Sequence, residues 1–252
     1  MNPGLMKGGA DMPGWAISLK EQFIQAFIEK SRWKYMTNGV LTTIEVTILA
    51  LIIGIILGII VAVIRSSYDQ QGHKLKGATK VIFKVLNDIC KLYLTVIRGT
   101  PLMVQLLIMY FVIFASSTNT FLVAVLTFGI NSGAYVAEIF RSGIMSIDPG
   151  QTEASRSLGF GYVPTMVYVI VPQAIKNVLP ALVNEFITLL KDTSIVTVIG
   201  LKDLTKGAMI IQGVTYQALM PLIAAAFIYL VLVIILTKVL GNVERRLRRN
   251  ER

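Results

Sequence analysis

Five long apolar stretches, separated by shorter polar segments, dominate the pattern of hydrophobic and polar positions. A helix needs about 20 mostly apolar residues to cross the hydrocarbon core of a bilayer. The stretches cover residues 46–64 (beginning near Asn38), 92–114, 121–144, 177–200 and 219–240. The pattern therefore predicts an all-α integral membrane protein with about five transmembrane helices.

Polar residues interrupt two of these stretches. The second contains "RGTP" at residues 98–101, where glycine and proline are expected to break a helix. The fourth carries Glu185, Lys191 and Asp192. An ionisable group inside a bilayer is costly and usually faces a partner group or a water-filled cavity. Both interruptions are therefore candidate positions for a solute-binding site.

Two other segments have the pattern of amphipathic helices. In residues 17–33, Leu19, Phe23 and Phe27 recur at helical spacing and predict a helix on the outer membrane surface, with a disordered segment as the alternative. In residues 74–98, a basic face beside an apolar face predicts an interfacial helix leading into the second span. A partner-binding helix is the alternative for that segment.

Composition and charge support membrane integration and predict its direction. The chain is 54% hydrophobic and 15% charged, whereas globular proteins carry about 25% charged residues. If the C-terminus is inside, 16 of the 24 Lys and Arg residues lie on the cytoplasmic side, which favours an outside N-terminus. The net charge of +10 then reflects topology and anionic lipid contacts rather than nucleic-acid binding. A single histidine, His73, and a single cysteine, Cys90, are too few for a metal cluster or a disulfide framework.

The predicted organisation has three parts. Residues 1–37 form an N-terminal extracytoplasmic segment with the interfacial helix. Residues 38–240 form the transmembrane domain, including a cytoplasmic loop at 150–172, and residues 241–252 form a basic cytoplasmic tail.

The loop between the third and fourth spans changes from polar to apolar along its length. It reads "EASRSLGFGYVPTMVYVIVP" at residues 153–172. This order predicts a small helix with Glu153 near its start, followed by a turn at Gly159 and an ascent towards the fourth span. Pro172 and Pro180 bracket the return to the membrane, where proline can end or kink a helix.

This segment resembles the EAA loop of permease subunits of ATP-binding-cassette (ABC) importers. Glu153, Ala154 and Ser155 are followed by Gly159 and Pro172 at the spacing of that motif. The flanking stretches "RGTPLMVQL", "NSGAYVAEIFRSGI", "GQTEASRSLG" and "NEFITLLKDTSIVTVIG" resemble the polar amino acid uptake permeases, over roughly residues 37–245. The resemblance implies the type I importer permease fold and a multi-pass protein of the bacterial inner membrane.

The resemblance also implies the partners. Two permease subunits, identical or different, would form the pathway, and an extracytoplasmic binding protein would deliver the amino acid. Two cytoplasmic ABC ATPase subunits would bind ATP and Mg. The chain contains no Gly-x-x-x-x-Gly-Lys-Ser/Thr loop, so we expect it to bind no cofactor itself and to be a transport subunit rather than an enzyme.

The resemblance and the residue chemistry together nominate two sets of site residues. Glu153, Ala154, Ser155, Gly159 and Pro172 would form the ATPase-coupling surface and its hinge. Close approach is possible at the small residues, and Glu153 would pair with a basic group on the ATPase or cap its own helix.

The proposed substrate contacts lie in the second and fourth spans. Glu185 would neutralise an ammonium group, and Thr188 shares its helical face. Thr100 and the backbone at Gly99 would meet the substrate carboxylate. The alternative for Glu185 is an ion pair with a protein group such as Arg98 or Arg141.

Other functions stay open on the sequence. The solute could be another small polar molecule, such as an opine or cystine. A passive channel would not need a coupling loop. An intramembrane enzyme would need paired catalytic groups, and the spans hold only isolated candidates.

Overall fold

The computed structural model describes residues 19–72 and 75–249, except for the side chains of residues 243, 244 and 246–249. Every regular element in these residues is helical. In chain order the helices are α1 (Leu19–Phe23), α2 (Trp33–Gln71), α3 (Gly77–Gly99), α4 (Leu102–Ile108), α5 (Thr120–Met145), α6 (Pro149–Ser157), α7 (Tyr162–Thr165), α8 (Val171–Asp192), α9 (Leu204–Thr215) and α10 (Leu219–Arg249). Single turns of π or 3-10 geometry cover Ile24–Ile28, Glu29–Ser31, Met109–Ile113, Met166–Ile170 and Thr193–Ile199. His73 and the ends of the chain lie outside the described residues.

Four helical segments are long and apolar enough to cross a membrane, and a bent pair makes a fifth if it is counted as one span. The four are Trp33–Gln71, Thr120–Met145, Tyr162–Ile199 and Leu219–Asn242, and the pair is Gly77–Gly99 with Leu102–Ile113. The all-α fold with about five spans is thus confirmed. Most of the helices are longer than the predicted apolar stretches, because hydropathy detects only the part of a helix that lies in the hydrocarbon core.

The closest helix packing is between α2 and α5. Each helix carries two glycines four residues apart, Gly54 and Gly58 on α2, and Gly129 and Gly133 on α5. A methyl group added to Gly58 would lie 2.5 Å from Val136 Cγ1. Small residues let two helix backbones approach closely where hydrophobic burial cannot drive association. We refer to these four glycines as the glycine seam.

The predicted interruption at residues 98–101 is a sharp elbow. The helical segments on either side of it are bent by 108° relative to each other. Thr100 and Pro101 both have extended backbone angles, with ψ of 145° and 134°. A residue that precedes proline avoids helical geometry because of the proline ring. The chain therefore turns a corner at Thr100 rather than continuing as one straight span.

The N-terminal segment is not the single amphipathic helix that the spacing predicts. α1 has five residues and passes through a π turn into a 3-10 turn. Lys30 and Ser31 then take left-handed φ values of 50° and 53°, which end the helix. The Arg32 guanidinium donates a hydrogen bond to the Gln25 carbonyl across this turn. Tertiary packing explains the difference, because Phe27 is buried in a cluster with residues of α9 and α10.

The connection into α9 is capped by a buried carboxylate. Asp203 accepts hydrogen bonds from the backbone N–H groups of Thr205 and Lys206, at 3.0 and 2.9 Å. Burial raises the pKa of Asp203 above its ordinary value, while these N–H donors oppose that rise. The cap fixes where α9 starts, next to the close approach of Gly39 to the Asp203 backbone.

Neither proline of the fourth span ends a helix. Pro172 is the second residue of α8, where the missing N–H is tolerated in the first turn. Pro180 lies inside α8, so the helical run from Tyr162 to Ile199 is continuous apart from its π and 3-10 turns. The last helix likewise continues through Arg249 into the predicted tail.

Candidate functional site

The polar loop after α5 folds as the short helix α6. Asp148 caps it, since its carboxylate accepts a hydrogen bond from the Gly150 N–H at 2.6 Å, and Pro149 occupies the first helical position. Glu153 is therefore in the middle of α6. Its predicted place near the helix start is wrong, because Asp148, five residues earlier, is the residue that reaches the free N–H groups of the first turn.

The proposed coupling residues do not share one face of α6. Glu153 and Ala154 are exposed. Ser155 is 5% exposed, and its hydroxyl donates to the Gln151 carbonyl at 2.7 Å. Glu153 and Ala154 are thus available to a partner, whereas Ser155 packs against the protein itself.

Gly159 makes the predicted turn after α6. Its φ of 85° is in the left-handed region, which glycine reaches without steric cost. The N–H groups of Gly159 and Phe160 donate to the carbonyls of Arg156 and Ser155, at 2.9 and 3.0 Å. This pattern is a Schellman cap, and it reverses the chain towards α7.

Polar side chains connect α6 and the end of α5 to α8. Gln173 donates to Gln151 of α6 at 3.4 Å, and Asn177 donates to Ser146 after α5 at 2.9 Å. Pro172 is exposed beside Gln173, directly after the π turn. A displacement of α6 would therefore reach α8 through side-chain contacts as well as through the backbone.

Glu185 of α8 faces two cavities inside the bundle. The large cavity has a volume of about 590 Å³ and is also lined by Arg98, Tyr135 and Asn177. The small cavity, about 250 Å³, is lined by Thr100, Asn131, Tyr135, Glu185, Thr188 and Asp192. The structure thus brings Glu185, Thr188 and Thr100 together. Gly99 lies apart from them, in the wall of a third cavity formed by α2, α3 and α5.

The Glu185 carboxylate is held by a neutral donor. The Ser132 hydroxyl donates to Glu185 Oε1 at 2.8 Å, from α5 to α8. The anticipated alternative, an ion pair with Arg98 or Arg141, is absent among the described residues. Both guanidinium groups instead lie 3.7 Å from the Glu138 carboxylate. Glu185 therefore faces the cavities with a neutral hydrogen-bond donor and without a cationic protein partner in the described part of the chain.

An amide pair braces the elbow next to the small cavity. Gln105 donates to the carbonyls of Ile97 and Thr100, at 2.7 and 3.1 Å. Asn131 in turn donates to Gln105 Oε1 at 2.9 Å. Sequence reasoning missed Gln105, Asn131 and Ser132, although all three lie in the quoted motifs. Their signal would have been uncharged polar residues inside apolar stretches, which is weaker than the signal of a charge.

No group of three or more metal-ligating side chains (His, Cys, Asp or Glu) is found within the described ranges. Instead, the two cavities that Glu185 faces place polar side chains of α3, α5 and α8 around a shared space. Such an arrangement of cavities can hold a small charged or polar solute.

Comparison with known proteins decides the family. Residues 77–249 match the family described as binding-protein-dependent transport system inner membrane component. The chain belongs to this family. It is therefore an inner-membrane transport permease component, and the resemblance seen in the loop and its flanks is confirmed.

The similar relatives of this permease are named as amino acid transporters. The arginine transport system permease protein ArtQ of Bacillus subtilis is 48% identical over 166 residues, which are 65% of this chain and 76% of ArtQ. The glutamine transport system permease protein GlnP of Escherichia coli is 40% identical over 169 residues, again 65% and 77%.

A solved structure agrees over most of the permease. The crystal structure of an amino acid ABC transporter with histidines has a TM-score of 0.76 and 43% identity, covering 87% of this chain and 98% of that one. The inward-facing MetNI methionine ABC transporter has a TM-score of 0.72 at 17% identity over the same shares, which shows the fold alone.

Proposed function

We propose that this chain is the permease subunit of an ATP-driven importer for polar amino acids. The observation that carries the proposal is the Glu185 carboxylate, which faces polar cavities inside the spans of a transport permease and has a neutral donor, Ser132, but no cationic partner in the described part of the chain. The relatives' names support amino acids as the solute class. An amino acid brings an ammonium group, which Glu185 can neutralise, and a carboxylate, which requires a cation or N–H donors.

The large cavity supplies both kinds of group. Glu185 is one wall residue and Arg98 is another. Arg98 lies over the Tyr135 ring at 5.7 Å, and this cation–π contact helps to hold its guanidinium at the cavity wall. We assign the ammonium to Glu185, the carboxylate to Arg98, and neutral hydrogen bonds to Thr188 and Thr100. Thr188 and Thr100 line the small cavity, which Glu185 also faces, whereas Gly99 is left out because it lines neither cavity that Glu185 faces.

The energy source in this proposal is a pair of partner ATPases that bind ATP and Mg. Helix α6 presents Glu153 and Ala154 outward. It also contacts α8 through polar side chains, and α8 is the helix that carries Glu185. A second permease subunit would complete the pathway, and an extracytoplasmic binding protein would supply the amino acid. A channel would have no use for this linkage, so ATP dependence separates the two functions.

Replacing Glu185 with glutamine should lower the uptake rate about tenfold or more. A hydrogen bond to a charged group is worth about 1.5–3 kcal/mol, and 1.4 kcal/mol is a factor of ten. The permease would be purified with its partner chains and reconstituted in liposomes, and ATP-dependent uptake of labelled amino acids would be measured. Co-purification of the ATPase should not change.

Glu45→Gln is the matched control, since Glu45 is an exposed carboxylate of α2 outside the walls of the described cavities. Wild-type uptake by Glu185→Gln would remove Glu185 from the site. Uptake that continues equally without ATP would remove the importer assignment.

The proposed orientation places the N-terminus outside and α6 in the cytoplasm. Leu158, at 78% exposed, and Tyr216, at 93% exposed, mark the two predicted sides. Single cysteines at these positions, in a Cys90→Ser background, should react differently with a membrane-impermeant maleimide. Intact cells should label Tyr216→Cys, while Leu158→Cys should label only after permeabilisation. The reverse result would place α6 outside the cell and contradict the proposal.

A further inference from the structure

The third cavity, which we call the cationic cavity, contains two basic residues, Arg65 and Lys91, that have no role in the transport scheme above. It has a volume of about 420 Å³ and lies where α2, α3 and α5 meet. Its charged wall residues are Arg65, Lys91, Arg98 and Glu138, beside Leu94, Thr95 and Gly99. It shares Arg98 and Glu138 with the large cavity, but Glu185 is not in its wall.

The cations around this cavity outnumber the carboxylates. Glu138 is shared by three guanidinium groups, those of Arg98 and Arg141 at 3.7 Å and that of Arg65 at 4.0 Å. Asp69 contributes one more contact, 3.8 Å from Arg141. Lys91 has no ion pair among the described residues. The cavity wall itself thus holds three basic side chains, Arg65, Lys91 and Arg98, and one carboxylate, Glu138, and the excess charge favours an anionic ligand.

Arg65 is the buried member of the group. Its side chain is 15% exposed, and its Nε has no hydrogen-bond partner in the described part of the protein. Buried polar groups nearly always have a partner, and an unsatisfied charged donor is especially costly. An oxyanion in the cavity would offset the excess charge beside the Arg65 guanidinium.

The depth of Arg65 indicates where such an oxyanion comes from. Residues 46–64 of α2 carry no charge, and they lie between Glu45 and Arg65. Nineteen helical residues are about 28 Å long, close to the thickness of the hydrocarbon core of about 30 Å. Arg65 is therefore at the boundary between hydrocarbon and headgroups, which is the level of lipid phosphates.

Helix α3 adds a surface for acyl chains. Its exposed apolar residues recur every three or four positions, at Ile82, Val85, Ile89, Leu92 and Val96. Leu92 follows Lys91 directly and is about 100° from it around the helix. A phospholipid can bridge this separation, with its phosphate at Lys91 and its acyl chains along the stripe.

We propose that the cationic cavity binds the phosphate of an anionic phospholipid. Basic pockets between transmembrane helices near the membrane surface recognise lipid headgroups in this way. Arg65 and Lys91 donate to the phosphate oxygens, and the Thr95 hydroxyl donates from the same wall. Under the proposed orientation the lipid belongs to the cytoplasmic leaflet.

The test is a lipid-binding titration of the purified permease with its partner chains in detergent. Fluorescent phosphatidylglycerol should bind at least about tenfold more tightly than phosphatidylcholine, whose choline cation offsets the phosphate. Thr95→Glu, which adds a carboxylate to the cavity, and Lys91→Gln should each weaken phosphatidylglycerol binding about tenfold, the loss expected for one charge-assisted contact. Neither side chain forms an ion pair among the described residues, so both variants should fold.

Lys84→Gln is the matched control, because Lys84 is an exposed lysine of the same helix outside the cavity wall. It should bind phosphatidylglycerol like the wild type. Equal binding by all three variants would overturn the proposal. Displacement of the lipid by millimolar inorganic phosphate would assign the site to soluble phosphate, and displacement by free amino acids would assign it to the transport pathway; either result overturns the lipid site. None of these measurements depends on uptake, so the proposed function stands or fails separately.

Discussion

Gly159→Pro is expected to abolish ATP-driven uptake while the spans still insert and fold. Gly159 has a φ of 85°, whereas proline is restricted to about −65°. Its N–H also closes the cap of α6 by donating to Arg156, and proline has no N–H. The substitution therefore removes the turn that fixes the orientation of α6. The spans should still fold, because this segment lies outside the interfaces between them.

A graded series separates the turn from general damage. Gly159→Ala keeps the N–H but pays about 1–2 kcal/mol for left-handed geometry, so its uptake should be intermediate. Gly161→Ala is the matched control, because Gly161 has an ordinary φ of −74° and an added methyl group would lie 3.9 Å from Pro164. Measured quantities are ATP-dependent uptake, ATP hydrolysis and co-purification of the ATPase. Full uptake by Gly159→Pro would show that this turn does not transmit force.

Gly58→Leu should prevent stable folding of the permease. An added Cβ would already lie 2.5 Å from Val136 and 2.9 Å from the backbone nitrogen of Ala137. Backbone of a packed helix cannot move aside as a flexible side chain does. Overpacking costs about 1–3 kcal/mol where a core can adjust, and this contact leaves little adjustment. We expect a lower yield of folded protein in membranes and a lower melting temperature after purification.

Gly241→Leu is the control, because the same substitution is made at a glycine with no close neighbours among the described residues. Gly241 is in α10, and no heavy atom of the described protein lies within 4 Å of a Cβ added there. Its folded yield and melting temperature should match the wild type. If Gly58→Leu melts at the wild-type temperature, the glycine seam is not a close-packed interface.

Local sequence signals predicted the helices and the loop chemistry well. Apolar stretches of sufficient length mark spans because lipid requires them, and a glycine after a short polar helix marks a left-handed cap. The cap residue itself was misplaced, since Asp148 and Glu153 are both acidic and only backbone geometry distinguishes them. The sequence left open whether the prolines at 172 and 180 end or kink a helix, because a proline in a first helical turn and a proline after a helix end look alike in sequence; in the structure neither ends one.

Contacts between distant residues explain the rest. Glu185 stands out in the sequence as a charge in an apolar stretch, but nothing local indicates Ser132 as its donor, 53 residues away. The same holds for Glu138, whose three guanidinium contacts come from α2, α3 and α5. The N-terminal segment shows the limit most clearly. Its helical spacing is real, yet Phe27 packs against α9 and α10, and this packing overrides the local helical preference.

The elbow at Thr100 has an electrical consequence. The arm beyond it, Leu102–Ile113, is 12 residues long, or about 18 Å, and is shorter than the hydrocarbon layer of about 30 Å. The polar backbone at the corner is tolerated at that depth because Gln105 and a cavity lie beside it. If water fills this cavity, the aqueous phase extends inward and the insulating layer is thinner beside the elbow. The membrane voltage, worth about 2.3 kcal/mol per charge at 100 mV, would then fall across a shorter distance at this corner.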